Sequence, residues 1–137
     1  MTESSKVNSG TMATLNQDSS FDLAVVAARA ADERKGGDIL LLGVDKVSYL
    51  ADYFVIVTGF SRVQVRAISM SVQQKVETEL HRLPLRMSGQ AEGSWVLLDY
   101  ADVIVHILMP NERDFYNLEA FWSHAKRIPF TPEMLGE

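Results

Sequence analysis

Apolar residues along this chain follow two kinds of spacing. In "FDLAVVAARAADERK" (21–35) they recur as on a helix, and Ser19 with Asp22 supplies the S-x-x-D spacing of a helix start. Arg34 and Lys35 fall in the last turn, where cations suit the macrodipole, and Gly36-Gly37 stops the helix. "DILLLGV" (38–44) and "YFVIVTG" (53–59) are nearly unbroken aliphatic and aromatic runs, the pattern of strands buried on both faces. The linker between them, "DKVSYLAD", is too short for a helical crossover, so the pair is predicted to be antiparallel.

After Gly59, Ser61 and Gln64 make a capping box that opens a helix with Val65, Ile68, Val72, Val76 and Leu80 on one stripe. Pro84 closes that region. "LRMSG" (85–89) suits a short edge strand, followed by a glycine-flanked loop, "GQAEG". "SWVLLDYADVIVHILM" (94–109) reads as a hairpin ended by Pro110. Asn111 then caps a last helix, "ERDFYNLEAFWSHAK", with Phe115, Leu118 and Trp122 facing the sheet. The order α-β-β-α-β-β-β-α predicts an α/β fold, a single domain with a mixed sheet of about five strands flanked by helices. The polar head, 1–18, is expected to be disordered, the domain to span 19–126, and the extension 127–137 to drape over the surface or lie loose.

The faces of the hairpin raise the functional question. With a two-residue turn at Tyr100-Ala101, Asp99 lies opposite Asp102, Leu97 opposite Ile104, and Trp95 opposite His106, all on one face. The other face, Val96, Leu98, Val103, Val105 and Ile107, is plain core. Opposed like charges disfavour a strand pair by a few tenths of a kcal/mol, and a cation from another molecule would reverse that sign. Two readings stand on the residues alone. Either the acids are solvated turn residues and His106 packs on Trp95, or this face awaits a cationic neighbour. Ala101 fits the turn poorly, because a type I′ turn needs positive φ at both central positions.

Composition narrows the choice. The chain of 137 residues is 47% hydrophobic and 23% charged, ordinary for one globular domain. It holds no cysteine, which removes disulfides, thiolate metal sites and cysteine nucleophiles. No apolar run reaches the roughly 18–20 residues that span a bilayer. The head lacks both an apolar run and arginine, so targeting reads poorly and the cytoplasm is expected. A formal net charge of −5 suits a basic protein partner better than free nucleic acid. His81, His106 and His124 are too scattered for a metal site.

"GGDILLLGV", "LADYFVIVTGFSRVQVRAI", "SWVLLDYADVIVHIL" and "RDFYNLEAFW" occur in the order and spacing of the ribosomal silencing factors, or Iojap family, which this chain resembles over about residues 21–123. Ala101 departs from the glycine usual in the family's "DYGDVIVH" form. The resemblance implies a nucleotidyltransferase-like fold without catalytic residues and a non-enzymatic translation factor needing no cofactor or metal. It implies binding to the large ribosomal subunit through its protein fourteen, a block on subunit joining when nutrients or energy run short, and self-association into dimers. Family-conserved positions carry over to Trp95, Asp99, Tyr100, Asp102, His106, Arg113, Tyr116 and Trp122. The expected partner contacts are Trp95, Leu97, Asp99, Tyr100, Asp102, His106, Arg113 and Tyr116, with Asp99 and Asp102 receiving lysine or arginine.

Two rivals are weighed. A metal-dependent nucleotidyltransferase would use "TGFS" at a helix N-terminus for phosphate and Asp99 with Asp102 for magnesium, yet those acids straddle a turn. Direct RNA binding would need a basic stripe with aromatics, and only Arg62 and Arg66 cluster.

Overall fold

A computed structural model of the chain describes residues 9–45, 51–131 and 133. Its elements are α1 (Ser9–Glu33), β1 (Gly37–Gly43), β2 (Tyr53–Thr58), α2 (Arg62–Leu80), β3 (Arg86–Ser88), β4 (Trp95–Asp99), β5 (Val103–Leu108), α3 (Pro110–Tyr116), α4 (Leu118–Phe121) and β6 (Lys126–Pro129). The strands form one mixed sheet in the order β3-β4-β5-β2-β1-β6, parallel only between β2 and β5. The expected antiparallel pairing of β1 with β2 is present.

One face of the sheet carries α1 and α2. Leu41, Val55, Val57, Val96, Leu98, Val103, Val105 and Ile107 meet Leu23, Val25, Ala27 and Ala28 of α1 and Val65, Ile68, Val72 and Val76 of α2 in the main core. The opposite face holds a smaller cluster of Leu42, Phe54, Ile56 and Leu108, roofed by Leu118 and Trp122. At the start of α2, Ser61 Oγ accepts the Gln64 N–H at 3.0 Å, while Gln64 Oε1 takes the Phe60 N–H at 2.7 Å. The Gln64 amide also donates to the carbonyls of Arg34 and Lys35, tying the end of α1 to the start of α2.

Four expectations change. The first helix starts at Ser9, not Ser19, because no proline interrupts the turns upstream; residues 1–8 of the expected disordered head lie outside the described residues. Residues 127–129 of the extension expected to drape over the surface or lie loose belong to β6, which runs along the edge of β1 and makes the sheet six-stranded. The last helix is two short ones broken at Asn117, whose φ of 46° lies in the left-handed region. Met109 is the N-cap and Pro110 the first helical residue, so Asn111 is not the cap. The break turns Phe115 outward to 80% exposure, whereas Leu118 and Trp122 pack as expected.

Candidate functional site: the sheet face beside the last helices

Pairing across the sheet builds this face in rows. One row runs Ser88, Leu97, His106, Ile56, Leu40, and the next runs Arg86, Asp99, Ile104, Phe54, Leu42. Trp95 lies opposite Leu108. The hairpin register is therefore shifted by two residues from expectation: Asp99 pairs with Ile104 and Leu97 with His106. A shift of two preserves the alternation, so Trp95, Leu97, Asp99, Ile104 and His106 do share a face. The cause is a longer connection: four residues, Tyr100 to Val103, lie between the last pair, Asp99 and Ile104. Asp102 N–H donates to the Tyr100 carbonyl at 3.0 Å around Ala101, whose φ is 78°, which is the rare γ-turn geometry.

That turn separates the two acids. Asp99 stays on the shared face, where Oδ1 accepts the Ala101 N–H at 2.8 Å and Oδ2 meets Arg86 at 3.2 Å. Asp102 swings to the helical side. Arg82 grips it with two hydrogen bonds of 2.7 and 3.1 Å, and Ser20 of α1 donates to it at 2.8 Å. Burial alone would push the Asp102 carboxyl up, but the hydrogen bonds from Arg82 and Ser20 hold it below the usual range. Asp102 is thus a clasp between the hairpin and the helices, not an open anion for a partner. Because the acids sit on opposite faces, each with its own arginine, they do not converge on one ion as the nucleotidyltransferase reading requires. Tyr100, expected at the interface, is 1% exposed in the main core, and burial raises its phenol to about 12.

His106 is another correction. It is buried against Phe54 and Trp95, with its Nδ1 accepting the Trp95 indole N–H at 3.2 Å. Burial pushes its imidazole down to about 4, so it is neutral at physiological pH and orients the tryptophan. Arg113 is likewise occupied: its side chain is 10% exposed, bonded twice to Glu119 and once to Thr58 at 2.8 Å. It pins α3 and α4 to the end of β2.

What remains open is a groove of about 570 Å³ lined by Ser88, Glu92, Ser94, Trp95, Leu97, Glu112 and Tyr116. Tyr116 is 52% exposed and its ring lies 4.8 Å from that of Trp95. Gly89 brings the following loop in close, since a Cβ there would run into the Trp95 carbonyl. The structure thus gathers Trp95, Leu97 and Tyr116 of the expected contacts. Sequence reasoning missed Glu92 and Glu112. Their only signals are the glycine-flanked loop and the four-residue step from Glu112 to Tyr116, which sets both on one helical face.

Among the described residues no cluster of His, Cys, Asp or Glu could hold a metal ion, and no helix is long and apolar enough to cross a membrane.

Comparison with known proteins places this surface in context. A family model described as "Ribosomal silencing factor during starvation" matches residues 17–136. The chloroplastic protein Iojap of Zea mays is 42% identical over 109 residues, 79% of this chain and 46% of the maize protein, so this chain spans about half of that relative. Ribosomal silencing factor RsfS of Bacillus subtilis (strain 168) is 39% identical over 100 residues, covering 73% of this chain and 84% of that one. A crystal structure of a Chromobacterium violaceum protein superposes with a TM-score of 0.71 at 36% identity, covering 74% of this chain and 84% of that one. A second, from Bacillus halodurans, gives 0.65 at 33% identity over 77% and 94%. The sequence order, the six-stranded sheet and these matches lead to one conclusion: the chain belongs to the ribosomal silencing factor family.

Proposed function

We propose that this chain binds the large ribosomal subunit through its protein fourteen, in the cytoplasm, and represses translation by standing where the small subunit would join. The observation that carries the reading is the half-open surface of Trp95, Leu97 and Tyr116 on a sheet face that the last helices cover only in part. Aromatic and aliphatic anchors at the centre of a contact, with a polar rim, are how protein interfaces of roughly 800 Å² per partner are built. No bond is made or broken; occupation is enough. Self-association, which the family likeness implies, would be read by sedimentation of the free protein.

The test is co-sedimentation with purified large subunits, followed by a subunit-joining assay. The parent is expected to pellet with large subunits and to lower the yield of joined ribosomes. Leu97→Asp is expected to remain in the supernatant while its melting temperature stays within a few degrees of the parent, since Leu97 is only half-buried. A parent that pellets with no ribosomal particle sinks the reading.

A further inference from the structure

The acids expected to meet the partner are neutralised within the chain, Asp99 by Arg86 and Asp102 by Arg82. Glu92 and Glu112, in contrast, engage no cation among the described residues, and they flank the groove floored by Trp95, Leu97 and Tyr116. We propose that this groove receives one arginine side chain from a basic protein segment, with its guanidinium against the aromatic rings and between the two glutamates. The proposal rests on the docking surface described above and deepens it by naming what the partner inserts.

Three features of the groove fit that occupant. The indole is fixed by its hydrogen bond to His106 and by its contact with Tyr116, so an aromatic face is presented without ordering cost on binding. A cation over such a face is stabilised by the ring quadrupole, most strongly over tryptophan. Carboxylates at the flanks add charge-assisted hydrogen bonds, and a planar guanidinium uses ring and carboxylate together better than an ammonium does. The chain's net charge of −5 adds long-range attraction for a basic neighbour.

The experiment compares the parent, Glu92→Gln/Glu112→Gln, Glu92→Lys/Glu112→Lys and Leu97→Asp for binding to purified large subunits over a range of salt. The glutamine pair is expected to weaken binding roughly tenfold and to flatten its salt dependence. The lysine pair is expected to abolish binding, with circular dichroism and melting unchanged, because Glu92 is exposed and Glu112 is half-exposed on the surface. If both pairs bind as the parent does while Leu97→Asp fails, the arginine site is wrong and the docking surface stands. If Leu97→Asp also binds as the parent does, the surface itself is wrong. A parent without affinity for the subunit overturns both.

Discussion

Ala101 holds a φ of 78° that a Cβ disfavours by roughly 1–2 kcal/mol, and the γ-turn around it sets where the next acid points. Ala101→Gly removes that penalty and loses part of the gain to the freer unfolded chain. The expected net effect is a stabilisation of about 0.5–1 kcal/mol, read from urea unfolding, with no change in ribosome binding. The same residue explains what the hairpin sequence concealed. Alternation along the strands was legible and assigns Trp95, Leu97, Asp99 and His106 to one face correctly. Register was not, because a four-residue connection with positive φ at an alanine has no signal in the side chains. One residue's backbone thus moved Asp102 from the partner's side to the helices' side. Reversing its charge would set a lysine against Arg82, which tests folding before binding.

At the scale of elements, α3 and α4 behave as a strap across half of the sheet face, and Arg113 is its fastening. Removing one member of a well-buried ion pair leaves the other charge uncompensated. Arg113→Ala is therefore expected to lower stability by about 2–3 kcal/mol and to weaken subunit binding with it. A true contact residue would lower binding while the melting temperature held, so the two measurements together decide its role. The strap was half legible. Three-and-four spacing suggested a single helix, and Leu118 and Trp122 do pack, but a left-handed asparagine at 117 ends one helix and caps the next. Asparagine tolerates that conformation, and nothing in periodicity announces when it will be used. The strand of residues 126–129 was hidden for a related reason: a short, exposed edge strand buries too little to leave an apolar pattern.

For the whole molecule, His106, Asp102 and Glu119 share one direction of response to pH. His106 stays neutral when folded, whereas an unfolded imidazole takes a proton below about 6.5. Its full contribution is therefore present above that value and is lost as pH falls toward about 4. Asp102 and Glu119, both held below the usual carboxylate range, lose theirs at lower pH still. Unfolding free energy is expected to drop by about 2 kcal/mol between pH 7.5 and 5. His106→Asn, which keeps an acceptor for the indole, is expected to flatten the limb between 6.5 and 5 and leave the carboxylate limb. An equal slope in both proteins would show that another group titrates there.

The sheet separates two jobs. On the proposed reading, grip is set on the side of Trp95 and Tyr116, while the material that keeps a second particle away is the helical layer behind, with α1 a rod of 25 residues, about 37 Å long. Tightness and reach are then independent dials: lengthening or trimming α1 at its Ser9 end would change how much is shut out at the same dissociation constant, and altering the groove would do the reverse.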